Sequence, residues 1–182
     1  MSDLLGSPEN LAKDTLFKDL VHKHQSRLYR FVVKHVGYGS DAEDLTQQAF
    51  VEAAASFESF RGTSSLSTWL YGIALNLVRN YLSRTPRRRY NFVDESALDE
   101  VQSNQPDPSE QLAQSQLVRA LLKEAGELPE EMQEVLLLVA LDEFSYEEAA
   151  VLLSVPVGTV RSRLSRARTK LRQKLGAAQF DL

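Results

Sequence analysis

The chain has 182 residues, 43% hydrophobic and 25% charged, which suits one modest core or two small ones and argues against disorder. It has no cysteine, so disulfide scaffolds, thiolate metal sites, zinc fingers and cysteine nucleophiles are excluded together. The formal net charge of −4 argues against a nucleic-acid partner only as an average, because its signs are segregated along the chain.

The apolar spacing is helical almost throughout and no period-2 run is long enough for a sheet, so an all-α protein is expected. Helices are predicted over Thr15–Val36, Asp41–Phe57 and Ser67–Ser83, broken by Gly37, Gly39 and Gly62. Ser40 followed by Glu43 reads as a capping box. The third helix has an apolar face of Leu66, Leu70, Ile73, Ala74, Leu77, Val78 and Tyr81. Its opposite face carries Thr68, Gly72, Asn76, Arg79 and Ser83, with Asn80 at the margin and Trp69 at the edge. An amide for a base edge, arginines for phosphates and the aromatics Phe60 and Trp69 for stacking are the parts of a single-strand binder. Taken singly, these residues fit an ordinary packed or solvated helix equally well.

From Thr85 to Pro106 periodicity is lost and Pro86 and Pro106 intervene, so a linker over 86–106 divides a first unit, 1–85, from a second, 107–182. Charge switches sign here. Arg79–Arg89 holds five arginines and no acid, and Asp94–Glu110 holds acids and no base. Asp107 and Pro108 open a helix to about Ala125, and Pro129 opens another to about Leu141. Glu124–Glu148 is acidic without a base, whereas Arg161–Lys174 carries seven bases and no acid. The acidic segments are expected to shield the basic faces in the free protein.

Ser145-Tyr-Glu-Glu148 is a second capping-box pattern. The helix it opens, with Ala149, Ala150, Leu152 and Leu153, is followed by Ser154-Val155-Pro156 and another helix, which describes a helix-turn-helix. On the second helix Val160, Leu164, Ala167, Leu171 and Leu175 fall on one stripe, opposite Ser162, Ser165, Arg166 and Thr169. Arg161, Arg163, Arg168 and Lys170 flank that face where phosphates would lie, leaving Ser162, Ser165 and above all Arg166 as base readers. The helix at Asp41 has a polar face of Asp41, Asp44, Gln47 and Gln48, which alone is indistinguishable from a solvated one. His22, His24 and His35 form no metal or catalytic pattern, and neither a phosphate-cradling loop nor a nucleophile elbow is present. No enzyme, metal or cofactor is expected. No stretch reaches the roughly 20 apolar residues of a membrane span and the N-terminus lacks a signal-peptide layout, so a cytoplasmic protein is expected. Two other readings stay open on the residues alone: a dimeric helix-turn-helix regulator, and a helical adaptor whose basic helix docks on an acidic protein.

Asp41-Ala-Glu-Asp-Leu-Thr-Gln-Gln-Ala-Phe50, Phe60-Arg-Gly62, Thr68-Trp-Leu-Tyr71 and Ile73-Ala-Leu-Asn76 resemble the second region of extracytoplasmic-function (ECF) sigma factors. Leu128-Pro-Glu-Glu131, Phe144-Ser-Tyr-Glu-Glu-Ala-Ala150 and Val155-Pro-Val-Gly-Thr-Val-Arg-Ser-Arg163 resemble their fourth, in the same order and separation. The resemblance implies an alternative sigma factor of two small helical domains on a flexible linker, with bacterial RNA polymerase core and promoter DNA as partners and an anti-sigma factor as a further one. It implies that Asp41, Asp44, Gln47 and Gln48 meet the polymerase clamp helices. Asn76 would line a pocket for a flipped minus-ten base, with Phe60, Arg61, Trp69, Arg79 and Asn80 around it. The second domain would lean on the polymerase flap and read the minus-thirty-five duplex through Thr159, Arg161, Ser162, Arg163, Ser165, Arg166 and Arg168. Many relatives carry an acid where this chain has Gln48, so core affinity or its salt dependence is expected to differ. No further domain is expected after Leu175.

Overall fold

The structure, a computed structural model, describes residues 8–84 and 118–176, with side chains from residue 15 in the first stretch. The expected linker, the arginines at 87–89, the acidic run from Asp94 and the cap at Asp107 lie outside them. The described residues are helical and contain no strand. Three long helices come first: α1 (Pro8–Val36), α2 (Ser40–Ser56) and, after a 3-10 turn at Phe57–Ser59, α3 (Leu66–Arg84). Then follow α4 (118–126), α5 (Glu130–Leu136), which runs on through a π turn at Leu137–Leu141, α6 (Tyr146–Leu153) and α7 (Val157–Leu175).

Helices α1, α2 and α3 pack on one another. Ala42, Ala49 and Ala53 on α2 are fully buried, and their small side chains bring that helix close to Leu28, Phe31 and Val32 of α1 and to Leu70, Ala74 and Val78 of α3. The α1–α2 corner departs from the sequence reading. The N-cap is Gly39, at φ 146, and no side chain caps the helix. Ser40 is already helical and forms no capping box with Glu43. Gly37 at φ 86 and Gly39 together supply left-handed and extended backbone that residues with a Cβ resist, so glycine geometry, not a serine oxygen, starts α2.

The second half forms as the pattern predicts. The Ser145 side chain accepts from the Glu148 amide at 3.1 Å and the Glu148 carboxylate accepts from the Ser145 amide at 2.9 Å, a complete capping box. Ser154 turns the chain in the left-handed region (φ 55), and Pro156 caps α7. Ala149 and Ala150 are buried beneath it, as are Val160, Leu164, Ala167 and Leu171 of its stripe. Helix α4 adds Leu122 and Ala125 to a smaller core with Leu128, Leu137, Ala167 and Leu171.

The two units do not stand apart. One apolar core runs from α1–α3 into Val135, Leu138, Phe144, Ala149, Leu152 and Leu164 of the second unit. The Phe144 ring lies 5.1 Å from that of Tyr71 and 6.2 Å from that of Phe31, edge to face as aromatic quadrupoles prefer. Arg27 sits 5.9 Å over both the Tyr71 and the Phe144 rings. Around this plug Lys34 donates to the Leu141 carbonyl at 2.7 Å and to the Asp142 carboxylate at 3.0 Å, and Arg27 to the Asp142 carbonyl at 3.1 Å.

Burial also sets the protonation of this seam. His35 is fully buried, which pushes its pKa down against the opposing fields of Asp142 and Glu134. Its Nδ1 lies 2.8 Å from the Phe31 carbonyl, so the neutral ring donates from Nδ1. Burial pushes Asp142 up, against His35, Lys34 and Arg27. A lowered histidine costs stability once the unfolded chain takes up its proton, so stability present above pH 6.5 is lost as pH falls below it. The raised Asp142 acts in the opposite sense, its contribution being largest below pH 3.8 and lost as pH rises. As pH falls below 6.5 the His35 contribution is lost, each kcal/mol lowering the thermal midpoint by ~2–4 °C. His35→Gln is expected to remove that part of the slope in a melt series from pH 7.5 to 5. What remains belongs to His24, lowered by burial and by Lys23 and Arg27, and to Asp142 acting in the opposite sense.

Candidate nucleic-acid and polymerase interfaces

Three surfaces carry the residues singled out by sequence. On α7, Arg161, Ser165, Arg166, Thr169 and Lys170 are exposed along the side opposite the buried stripe, and Thr159, Ser162, Arg163 and Arg168 are half-buried at its margins. Ser162 donates to the Thr159 carbonyl at 3.0 Å and Thr169 to the Ser165 carbonyl at 2.9 Å, which keeps both hydroxyls against the helix. Arg166 is exposed at the middle of this face, between those two hydroxyls. Two contacts on the helix were invisible in the sequence. Arg161 lies 5.9 Å over the Tyr146 ring, a cation–π contact that pre-orients its guanidinium. Arg163 pairs with Glu131 at 3.0 Å, so a phosphate must displace that carboxylate.

The second surface is the N-terminal end of α3. Phe60 lies 5.2 Å and Phe57 6.2 Å from the Trp69 ring, and Phe17 backs Phe57 at 5.5 Å. Trp69 and Phe60 are half-buried, each presenting part of its ring to solvent, and Arg61 is exposed beside them. Asn76 and Asn80, two and three turns along the same side of the helix, are exposed. The structure thus groups Phe60, Arg61, Trp69, Asn76 and Asn80. It corrects the rest of that face. Thr68 is 3% exposed and its hydroxyl donates toward Glu148 at 3.4 Å. A Cβ on Gly72 would touch Leu152 at 3.8 Å, and Leu75, left out of both predicted faces, is fully buried. Arg79 gives Nε and Nη2 to the two Glu134 oxygens at 2.7 and 2.9 Å. These four positions face the second unit rather than solvent.

The third surface is α2, where Asp44, Gln47 and Gln48 are exposed. Asp41 is half-buried and accepts from the Tyr81 hydroxyl at 2.6 Å, so it anchors α2 to α3 as well as edging this face. Gln48 donates to Glu52 at 3.1 Å. Val51 is 67% exposed and lies three and four residues beyond Gln48 and Gln47, on the same side. The sequence reading missed it, although an apolar residue off the Leu45–Ala49–Ala53 stripe was the available signal. Such a residue in a polar setting suits a protein contact.

Family comparison accounts for this arrangement. The family model described as Sigma-70 region 2 matches residues 20–88, and that described as Sigma-70, region 4 matches residues 118–171. The ECF RNA polymerase sigma-E factor of Escherichia coli K12 is 36% identical over 169 residues, covering 87% of this chain and 86% of that protein. The chain belongs to the ECF sigma factors. The sigma-E factor of Haemophilus influenzae is 34% identical over 165 residues, with 87% of each chain covered. Among solved structures, CnrH in complex with the cytosolic domain of CnrY matches with TM-score 0.63 at 27% identity over 91% of each chain. RpoE of Bartonella quintana, solved with the anti-sigma factor NepR, matches in fold with TM-score 0.61 at 24% identity, over 90% of this chain and 98% of that one. As an ECF sigma factor the protein directs RNA polymerase to a subset of promoters. The α1–α3 unit is its region 2 and the α4–α7 unit its region 4. Among the described residues no helix is long and apolar enough to cross a membrane.

Proposed function

We propose that this sigma factor is a non-catalytic specificity subunit working in the cytoplasm, with region 2 within 1–85, a linker over 86–106 and region 4 within 107–182. Region 2 docks on the polymerase clamp helices through Asp41, Asp44, Gln47 and Gln48, with Val51 adding apolar contact. It captures the minus-ten strand at the α3 surface. Phe60 and Trp69 offer ring faces on which an unpaired base stacks, a contact worth about 1–3 kcal/mol, and Asn76 and Asn80 offer amides to a flipped base. Arg61 holds a phosphate, and Arg79 does so only where the phosphate displaces the Glu134 carboxylate. Region 4 leans on the polymerase flap and lays α7 in the major groove, where Arg166 and Ser165 read the minus-thirty-five base edges. Thr159, Arg161, Ser162, Arg163 and Arg168 fix the helix on the backbone.

The observation that carries this reading is the pairing, in one chain, of a half-exposed, tilted Phe60–Trp69 ring pair on the side of α3 that carries Asn76 with an acid-free helix presenting Arg166. A duplex-binding regulator needs only the second. An anti-sigma factor is a further expected partner, the similar CnrH having been solved in complex with the cytosolic domain of CnrY.

The test is run-off transcription of sheared genomic DNA by sigma-free core polymerase with and without the protein. New discrete start sites that vanish with Arg166→Ala support the reading. Tight binding of the protein alone to a palindrome, with no new transcripts, supports the ordinary regulator instead.

A further inference from the structure

We infer that the cleft between α1 and the turn at 141–144 is a binding site for inorganic phosphate, taken in its hydrogen phosphate form. It shares no residue with the surfaces assigned above to promoter or polymerase.

The cleft has a volume of about 210 Å³ and is lined by Arg27, Arg30 and Lys34 of α1, by Tyr71 of α3, and by Asp142 and Glu143 of the turn. The three cations stand three and four residues apart, so one side of α1 carries them all. That volume is below the ~300–1,000 Å³ of sites for drug-sized ligands. It suits a small oxyanion and a few waters at ~30 Å³ each.

Two polar atoms in the lining define what the ligand must offer. The Tyr71 hydroxyl and Asp142 Oδ2 are buried and meet no hydrogen-bonding partner among the described residues, in residues only 2% and 8% exposed. Polar atoms so placed are destabilising until they are satisfied. Burial pushes the phenol up to about 12, with Arg27 opposing and Asp142 adding to the shift, so Tyr71 keeps a proton to donate. Asp142, with Oδ1 held by Lys34 at 3.0 Å, offers lone pairs at Oδ2.

One small ligand has therefore to accept from a phenol and from cations while donating to a carboxylate. Hydrogen phosphate does both, its bare oxygens accepting and its P–OH donating. Sulfate has the same charge and shape but no proton, and a phosphate monoester has lost its proton above a second pKa of about 6. Either would set lone pairs against Asp142 Oδ2. Water could bridge the two atoms, but three cations face two carboxylates here, and water leaves that positive excess uncompensated.

The cations keep donors in reserve. Lys34 uses two of its three N–H groups on the Leu141 carbonyl and Asp142, and Arg27 gives one of its five to the Asp142 carbonyl at 3.1 Å. The Arg27 guanidinium is held 5.9 Å over the Tyr71 and Phe144 rings, which sets its direction before an anion arrives. Glu143 shapes the turn from the left-handed region, at φ 59, a backbone state that collects at ligand sites. Its own carboxylate, on an exposed residue, tempers the affinity for an anion.

Isothermal titration of the full chain at neutral pH, in chloride of matched ionic strength, tests this with inorganic phosphate, sulfate and glycerol 3-phosphate as probes. Phosphate is expected to bind roughly tenfold or more tighter than either of the others, since it alone satisfies both buried atoms. The basic face of α7 attracts sulfate and phosphate alike as charges, so it does not produce that ratio. Tyr71→Phe and Arg30→Gln are each expected to weaken phosphate binding roughly tenfold. Asp142→Asn puts an amide N–H where the lone pairs were, and is expected to bring sulfate level with phosphate. Should that variant fail to fold, Tyr71→Phe, which keeps the ring packing, decides alone. Phosphate bound no more tightly than sulfate by the unaltered chain overturns the site, and so does undiminished phosphate binding by Tyr71→Phe. Glycerol 3-phosphate bound more tightly than phosphate overturns inorganic phosphate as the ligand in favour of a monoester.

Discussion

Asn76→Ala is expected to leave core binding and minus-thirty-five duplex binding unchanged and to reduce promoter opening by roughly 10–100-fold, the cost of about 1–3 kcal/mol of lost base contact. Asn76 is exposed on the side of α3 that region 4 leaves uncovered, so the substitution removes an amide without opening a cavity or disturbing the contacts between the units. Its effect therefore belongs to DNA strand capture and not to folding. Permanganate reactivity of unpaired thymines measures opening directly, and gel shift of the core complex measures assembly. Ser83→Ala, an exposed change one turn beyond Asn80, is the internal control. Normal opening by Asn76→Ala would move base capture to the Phe60–Trp69 stack alone.

Where a helix buries one face, the sequence was legible. The α7 stripe of Val160, Leu164, Ala167 and Leu171 is buried as its spacing predicts, and the Ser145–Glu148 capping box is present with both bonds. Those signals are local: period, cap and turn lie within a few residues of what they determine. The misread features depend on partners far along the chain. Periodicity assigns α3 one apolar face, yet a second packed side appears because region 4 lies against it. Tyr71 and Leu75, which belong to neither predicted face yet are both buried, were the residues in the sequence that hinted at this. Arg79 looked like a free cation because Glu134 lies 55 positions away in sequence. That glutamate lies in the acidic run from Glu124 to Glu148, but no pattern named its partner. At the start of α2 the error was of another kind: Ser40 and Glu43 have the right spacing, and the positive φ of Gly39 overrides it.

Phe144→Ala tests how far one ring couples the stability of the two units. Removing a buried phenylalanine typically costs about 3–5 kcal/mol, and here the lost contacts with Phe31 and Tyr71 lie between the units rather than within either. Because the core is shared, the wild-type protein is expected to melt in one cooperative transition. The variant is expected to melt in two, the first lower by roughly 10 °C at ~2–4 °C per kcal/mol. Calorimetry reads the split directly. Two resolved transitions place the thermodynamic coupling of the two units in the Phe31–Tyr71–Phe144 contacts, because nothing inside either unit has been removed. A single transition lowered as a whole would mean that the rest of the shared core, Val135, Leu138, Leu152 and Leu164 among it, couples the units without the Phe144 ring.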